Sequence, residues 1–169
     1  MDLQPHLTGE LVELRPLRAA DWEQLYPIAS DPLIWEQHPA HDRYREPVFR
    51  QYFDGAVNSG GAFLVLDKAT QQPIGCTRFC NFDAEKRELE IGWTFLARSH
   101  WGGRYNSEMK RLMLDYAFQF VDAVHFVVGV TNFRSQRAVE KLGAVRVRFQ
   151  DEMNDGKAVQ HVVFELRKP

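Results

Sequence analysis

The residue types best suited to chemistry stand in one short connection, residues 98–108, with the sequence RSHWGGRYNSE. It follows the strand-like run 90–96 and precedes residues 109–120, whose apolar spacing is typical of a helix. The first turn of a helix leaves backbone N–H groups without partners, and glycines let an anion approach the backbone closely. Arg98 and Arg104 add guanidinium donors that suit phosphate oxygens. The connection therefore predicts an anion site, although a glycine-rich turn with solvated arginines fits this loop equally well.

A second polar segment, residues 131–143, follows the next predicted strand and reads TNFRSQRAVEKLG. Asn132 is a residue type that caps helices, and Ser135 follows three positions later. Neither segment has the spacing of a P-loop or of a dinucleotide-binding glycine fingerprint. Both segments therefore need a different explanation.

Together, E-I-G-W at 90–93, W-G-G-R-Y-N at 101–106 and N-x-x-S-x-x-x-x-E-K-x-G at 132–143 resemble the GNAT superfamily of acyl-CoA-dependent N-acyltransferases. The resemblance covers nearly the whole chain, and the nearest branch looks like the Rim-type enzymes, which acetylate protein N-termini. It implies one GNAT-like domain over residues 1–169, with acetyl-CoA as the co-substrate.

The resemblance also implies where acetyl-CoA would lie. Strands 87–96 and 125–130 would splay apart, and pantetheine would pair with the exposed backbone of the first strand. The pyrophosphate would rest on amides of the glycine stretch, and a backbone N–H near Thr94 or Phe95 would stabilise the oxyanion. The predicted cofactor-binding residues are Thr94, Phe95, Leu96, Arg98, Trp101, Gly102, Gly103, Arg104, Tyr105, Asn106 and Asn132.

Two positions depart from the family pattern Q/R-x-x-G-x-G/A. Arg104 stands where relatives have glycine or alanine, and Ser99 stands where they have Gln or Arg. The Arg104 guanidinium would then replace some backbone contacts or point to solvent. Arg104, together with the absence of the tyrosine that many relatives place at the position of Val139, keeps open a second hypothesis, a catalytically silent acyl-CoA-binding or interaction domain.

The reaction that the resemblance implies is direct attack of an amine on the thioester carbonyl, without a covalent enzyme intermediate. Glu90 is the predicted base, because a carboxylate on a central strand needs a partner or a role. The alternatives are a structural ion pair between Glu90 and Arg78, and Glu88 as the base. Where Val139 stands, many relatives have a tyrosine that acts as the general acid for the leaving thiolate. Ser135 is the predicted substitute, while helix-start hydrogen bonding by Ser135 and protonation by solvent are the alternatives.

The link between the first two predicted helices, residues 34–44, concentrates polar and aromatic side chains. Links of this type often carry binding groups. The predicted acceptor-binding residues are Trp35, His38, His41, Arg43 and Tyr44; the alternative is a polar connection with Trp35 in the core. No third ligand accompanies the two histidines, so no metal site is predicted. The acceptor is expected to be a protein N-terminus or small primary amine, with free amino acids, polyamines and aminoglycosides as alternatives.

The elements that must position these residues follow from hydrophobic periodicity. The predicted strands are 11–16, 62–67, 73–82, 87–96, 125–130, 144–151 and 158–166, and the predicted helices are 19–29, 46–60, 109–120 and 134–142. This order predicts an α+β fold of three layers, with a mostly antiparallel sheet of about seven strands and about four helices. Residues 154–156 (Asn-Asp-Gly) predict a hairpin turn. Strand alternation places Trp93 opposite Glu90, in the core.

The 169 residues are 44% hydrophobic and carry a formal net charge of -2, which predicts a folded domain without affinity for nucleic acid or membrane. No apolar run approaches the roughly 20 residues of a membrane span. Cys76 and Cys80 have neither metal-site nor redox-motif spacing, so we expect free thiols and a cytoplasmic location. An exposed edge of the terminal hairpin would allow a homodimer.

Overall fold

The computed structural model describes residues 1–154 and 156–169. Its strands are β1 (Leu7–Thr8), β2 (Val12–Pro16), β3 (Ala62–Asp67), β4 (Pro73–Asp83), β5 (Glu88–Leu96), β6 (Ala123–Gly129), β7 (Val145–Asn154) and β8 (Lys157–Arg167). Its α-helices are α1 (Trp22–Ala29), α2 (Glu46–Ser59), α3 (Arg104–Ala117) and α4 (Phe133–Lys141).

The strands form one sheet in the order β1-β2-β3-β4-β5-β6-β8-β7. Neighbouring strands are antiparallel except for β5 and β6, which are parallel and connected through α3. The predicted fold class is confirmed, and the two-residue strand β1 makes the sheet one strand larger than expected. The predicted hairpin turn includes Asp155, which lies outside the described residues; the strands that it joins do pair.

Two apolar clusters lie on opposite faces of the sheet. One packs the sheet against α3 and α4 and includes Met113, Val139 and Phe164. The other packs it against α1 and α2 and includes Leu25 and Phe49. Burial of these side chains holds the three layers together. Both cysteines are free, as predicted. Among the described residues, none of the helices has the length and apolar character needed to cross a bilayer.

The sheet opens between β5 and β6. The two strands pair at only three positions, of which the last joins Glu90 to His125. β5 continues to Leu96, whereas β6 continues to Gly129 along its other neighbour, β8. Over 91–96, this edge of β5 therefore has no strand partner among the described residues. This opening is the splay that was predicted between these two strands.

A β-bulge interrupts β5 beside the opening. Cys76 pairs with Phe95 and Arg78 pairs with Gly92, so Thr77 alone faces two residues of β5, Trp93 and Thr94. Trp93 adopts a left-handed conformation with φ of 55°. The extra residue breaks the alternation of faces, and the Trp93 side chain lies on the α2 side with 46% of its surface exposed. The prediction that Trp93 lies in the core, opposite Glu90, was therefore wrong.

Helix α3 begins earlier than its apolar spacing indicated. Gly102 and Gly103 have φ values of 111° and 98°, a region that favours glycine, and the helix starts at the next residue. The predicted start at residue 109 was wrong, because residues 104–108 form the first turn of α3 rather than a loop. The helix N-terminus therefore lies directly after the two glycines.

Candidate functional site

The open edge of β5 offers backbone groups rather than side chains. Phe95 and Leu96 bury their side chains in the two cores. The Thr94 hydroxyl is engaged on the α3 side, where it lies 2.8 Å from the Thr77 hydroxyl. The Trp101 indole N–H donates to the Leu96 carbonyl at 2.9 Å, at the end of the strand. An extended ligand would therefore meet backbone N–H and C=O groups along this edge.

The N-terminus of α3 supplies amides that have no hydrogen-bond partner within the part of the chain that the structure describes. The Ser107 amide is the first to bond within the helix, to the Gly103 carbonyl at 2.8 Å. The amides of Arg104, Tyr105 and Asn106 precede it, and Gly103 has no side chain with which to cap them. The helix dipole adds partial positive charge at this end. Free amides beside an open strand edge fit the pyrophosphate and pantetheine of a coenzyme A thioester.

The two arginines predicted to bind the cofactor differ in their surroundings. The Arg104 side chain is exposed. Arg98 Nε donates to Asp31 Oδ2 at 2.5 Å. This hydrogen bond, opposed by burial, lowers the pKa of Asp31, which also accepts the Leu33 amide. We call residues 97–103, between β5 and α3, the glycine loop. Arg98 therefore ties the glycine loop to the link between α1 and α2, which spans residues 30–45 in the structure.

A Ser-His-Asp chain, which was not expected from the sequence, also anchors this loop. Ser99 Oγ lies 2.8 Å from His100 Nδ1, and His100 Nε2 lies 2.9 Å from Asp67 Oδ2. The other oxygen of Asp67 accepts the Ala69 amide at 3.0 Å, within the β3–β4 turn. A serine protease triad uses the two histidine nitrogens in the opposite order. We interpret this chain as the contact that fixes the glycine loop to the turn.

The loop beyond β6 carries two of the predicted site residues. Asn132 is buried, and its side chain accepts the Ser135 amide at 3.4 Å, which caps α4 as its residue type indicated. Ser135 is half-buried, one helical turn before the buried Val139. Gln136, which sequence reasoning missed, donates to the carbonyls of Gly129 and Val130 at 3.1 and 2.9 Å. It therefore holds the end of β6 in place.

Arg134 is a second residue that the sequence analysis overlooked. Its Cζ lies 3.8 Å from the centre of the Trp101 ring, and its Nη2 donates to the Ile34 carbonyl at 3.4 Å. It therefore joins α4, the glycine loop and the α1–α2 link across the mouth of the opening. Its position in the sequence gave no signal of this role, because the contacts of Arg134 join segments that are distant in the chain.

Glu90 lies at the last position at which β5 pairs with β6. Asn81 Nδ2 donates to Glu90 Oε2 at 2.7 Å. The other oxygen, Oε1, lies close to Gly92, where a β-carbon, if one were present, would be 3.3 Å away. Burial raises the pKa of Glu90; the Asn81 hydrogen bond opposes the shift and the Glu152 carboxylate adds to it. Among the described residues, Glu90 forms no ion pair with Arg78. A half-buried carboxylate with a raised pKa suits proton transfer.

Two arginines and three aromatic rings meet on the face of the sheet towards α2. Arg78 is 6% exposed, and its Cζ lies 4.4 Å from the centre of the Trp93 ring. The Cζ of Arg43 lies 5.0 Å from the Tyr52 ring, 5.3 Å from Trp35 and 5.7 Å from Trp93. The Tyr52 hydroxyl donates to the Trp93 carbonyl. We call Arg43, Arg78, Trp35, Tyr52 and Trp93 the arginine–aromatic pocket.

The remaining link residues divide between the interior and the surface. Trp35 is 1% exposed, and its indole N–H donates to the Ala29 carbonyl at 2.8 Å. His38 Nδ1 accepts the Ala40 amide, and burial, with smaller contributions from Arg43 and His161, lowers the pKa of His38 to about 3. His41 and Tyr44 are exposed. Of the five predicted acceptor residues, the structure brings Trp35 and Arg43 into the pocket and leaves His41 and Tyr44 at the surface.

Lys110 is a buried cation on the other face of β5. Its Nζ donates to Thr94 Oγ1 at 2.7 Å, and burial lowers the pKa of Lys110 to about 7.

In residues 1–154 and 156–169, no cluster of three His, Cys, Asp or Glu side chains could hold a metal ion.

Comparison with known proteins identifies the family. Residues 12–145 match the family described as the acetyltransferase (GNAT) domain. The uncharacterized N-acetyltransferase p20 of Bacillus licheniformis is 30% identical over 117 residues, which are 66% of this chain and 65% of that protein. The match thus spans just under two thirds of the curated relative.

Solved structures share the fold. A GCN5-related N-acetyltransferase from Brucella melitensis superposes with a TM-score of 0.82 at 21% identity, over 97% of this chain and 79% of that one. A microcin self-immunity acetyltransferase, solved in complex with acetyl-CoA and AMP, gives a TM-score of 0.79 at 11% identity over 99% of both chains. The family match, rather than these distant structures, is decisive: the chain belongs to the GNAT acetyltransferase family.

Proposed function

We propose that the protein is an acetyl-CoA-dependent N-acetyltransferase that acetylates a primary amine by direct attack on the thioester. One juxtaposition carries the proposal. The unpaired edge of β5 beyond Glu90 lies between the free amides of α3 and the half-buried Glu90 carboxylate. Family membership and the acetyl-CoA complex of the microcin immunity enzyme support the choice of co-substrate.

Acetyl-CoA, when bound, supplies the acetyl thioester. The amides of Arg104, Tyr105 and Asn106 would hold its pyrophosphate, and the backbone of residues 94–96 would hold its pantetheine arm. Within this proposal Asn132 keeps its predicted contact with the cofactor arm through the side-chain N–H₂. Asp31 occupies Nε of Arg98, so the Nη groups of Arg98 are the donors that would serve a phosphate.

Glu90 would accept the proton that the amine loses as it forms the new bond. Burial raises the pKa of Glu90, which makes its carboxylate a better proton acceptor. The hydrogen bond from Asn81 holds that carboxylate in position. A backbone N–H of Thr94 or Phe95 would donate to the developing oxyanion. Ser135 or solvent would return a proton to the leaving sulfur, since Val139 provides no hydroxyl.

We further propose a class of acceptor, a location and an oligomeric state. The motifs quoted above favour the Rim-type branch and hence a protein N-terminus as acceptor, with a small amine as the alternative. We also propose a cytoplasmic location. A homodimer is supported by the exposed apolar side chains of the edge strand β7, Val145, Val147, Phe149 and Met153. Light scattering of the purified protein tests the dimer: a monomer mass would exclude it.

The central test combines acetyl-CoA titration with thioester turnover over a panel of amines. We expect Glu90→Gln to lower kcat by about 100-fold or more while the calorimetric Kd for acetyl-CoA stays unchanged. The amide can still accept the Asn81 hydrogen bond, so the local structure should persist. Glu85→Gln, on the exposed β4–β5 turn, is the matched control and should keep the wild-type rate.

Other outcomes point elsewhere. A loss that follows Glu88→Gln instead would transfer the base to Glu88. Binding of acetyl-CoA without turnover on any amine would favour the silent acyl-CoA-binding domain.

A further inference from the structure

The arginine–aromatic pocket holds one buried cation, Arg78, beside the half-buried Arg43. The Nε and Nη2 atoms of Arg78 are buried and have no hydrogen-bond partner within the described residues. The guanidinium instead faces the rings of Trp93 and Tyr52. Buried donors are nearly always satisfied in folded proteins, so this exception calls for a missing partner.

Arginine cannot remove this cost by losing its proton. Its guanidinium stays charged at any physiological pH, unlike a buried lysine. Contact with aromatic faces offsets part of the cost, since each ring presents negative charge density to the cation. A ring face accepts no conventional N–H···O bond, however, so the planar donors of Arg78 remain available.

A second guanidinium adds to the positive charge of the same pocket. Arg43 faces the same two rings, Tyr52 and Trp93, from the link. Burial lowers the pKa of Arg43, and repulsion by Arg78 contributes to the shift. Neither arginine has a carboxylate within ion-pair distance among the described residues. The nearby Glu90 carboxylate is held by Asn81 instead.

The pocket lies beside the backbone that would carry the thioester. Arg78 pairs across the sheet with Gly92, immediately before the bulge. The Tyr52 hydroxyl binds the Trp93 carbonyl, one residue before the edge assigned to pantetheine. A group bound by the two arginines would therefore lie on the α2 face of the sheet, beside the segment of β5 at which the acceptor amine would meet the thioester.

We propose that the arginine–aromatic pocket binds an oxyanion, a carboxylate or a phosphate, carried by the acceptor close to its amine. The inference rests on the proposed function, because it assigns the pocket to the acceptor of that reaction. Two guanidiniums with free planar donors match a bidentate oxyanion, and aromatic walls exclude water from the pair. The pocket disfavours polyamines and aminoglycosides, whose additional positive charges would meet Arg43 and Arg78.

The kinetic test uses pairs of acceptors that share a carbon skeleton and differ in whether they carry an anionic group; rates are compared per neutral amine, because the anionic group also changes the pKa of the amine. Free amino acids are compared with their carboxamides, and O-phosphoethanolamine with ethanolamine; the two pairs separate carboxylate from phosphate as the bound group. We expect kcat/KM for one anionic member to exceed that of its neutral counterpart at least about tenfold. Arg78→Met should remove the preference. Arg78→Lys, which keeps the positive charge but lacks the planar guanidinium, should retain part of it.

Arg50→Met is the matched control. Arg50 also stacks on a tryptophan, with its Cζ 3.4 Å from the Trp22 ring, but it lies on the exposed side of α2. This variant should keep the full preference for the anionic acceptor. An equal preference in wild type and Arg78→Met, or no preference in wild type, would overturn the proposal.

A binding experiment separates failure of this inference from failure of the proposed function. N-acetylated amino acids and their carboxamides, and N-acetylated O-phosphoethanolamine and ethanolamine, are titrated calorimetrically into the protein in the presence of coenzyme A. Tighter binding of one anionic member that Arg78→Met abolishes would support the pocket even if no amine is acetylated. Absence of anion-dependent binding in both pairs, alongside measurable acetylation of neutral amines, would reject the pocket and keep the enzyme.

Discussion

The two faces of β5 at its bulge both carry buried cations, but they stabilise them differently. Towards α3, Lys110 donates to Thr94, which in turn lies beside Thr77. Towards α2, Arg78 contacts aromatic rings and leaves two donors unused. One extra residue in the strand creates both environments, because it sends Trp93 to one face and Thr94 to the other.

The difference shows which cation needs an external partner. Lys110 has a hydroxyl acceptor, and its lowered pKa of about 7 lets it shed its charge near neutral pH. Arg78 cannot lose its proton, and its Nε and Nη2 have no acceptor among the described residues, so its charge persists. The lysine face is therefore complete in itself, whereas the arginine face is complete only with an anion.

Removal of the acceptor on the lysine face should have the largest effect on stability. Thr94→Val keeps the shape of the side chain but leaves the Lys110 ammonium buried without a hydrogen-bond partner. We expect the free energy of unfolding to fall by about 3 kcal/mol at pH values below the Lys110 pKa, as measured by urea denaturation. The double variant with Lys110→Met should recover most of that loss, because the unpaired charge is gone.

Thr8→Val, at an exposed strand position, is the control for this experiment and should change stability by less than about 0.5 kcal/mol. If Thr94→Val is as mild as this control, the lysine face is not held by its hydroxyl contact.

A smaller effect concerns pH. The pKa of Lys110 is about 7 in the folded protein against 10.5 for an ordinary lysine, so the unfolded state binds the extra proton between these values. Stability should therefore rise with pH in this window, by roughly 1.5 kcal/mol from about pH 7 to about pH 8.5. The measurement stops there because the raised pKa values of Cys76 and Cys80 act in the opposite direction at higher pH.

Lys110→Met should abolish this contribution, and the exposed control Lys157→Met should leave it intact. The same pH dependence in wild type and Lys110→Met would show that Lys110 keeps an ordinary pKa in the folded protein.

The smallest effect tests the bulge itself. Trp93→Ala and Trp93→Gly remove the same ring, but only glycine adopts a φ of 55° without strain. We expect the glycine variant to be more stable than the alanine variant by about 1 kcal/mol in urea denaturation. At Val159, in a regular part of β8, the order of the same two substitutions should reverse. A less stable glycine variant at Trp93 would argue against strain at the bulge.

The layers and strand order could be predicted because periodicity and turn residues act locally. The crossover through α3 and the splay between β5 and β6 followed from that order and from the family resemblance. The bulge could not be predicted, because it is a mismatch of register between two strands, and neither strand reveals it alone. The error at Trp93 arose from this: strict alternation placed it in the core.

The parts of the site that are built from backbone groups could be predicted from the sequence. The parts that are built from side-chain contacts between distant segments could not. Gly102 and Gly103 correctly predicted a helix N-terminus nearby, although α3 starts at Arg104 rather than at residue 109. Arg78 entered the sequence analysis only as an ion-pair partner for Glu90. Its true neighbours, Tyr52 and Trp93, come from different elements, and no spacing within one segment could indicate that they meet.

The ion pair between Arg98 and Asp31 has a consequence for the order of binding. Asp31 begins the link that carries Arg43, and Arg98 belongs to the loop that precedes the free amides of α3. A phosphate bound by the Nη donors of Arg98 would share the guanidinium with Asp31, so occupancy of the loop and placement of the link would be thermodynamically coupled. By reciprocity, whatever acetyl-CoA does to the affinity for the acceptor, the acceptor does by the same factor to the affinity for acetyl-CoA.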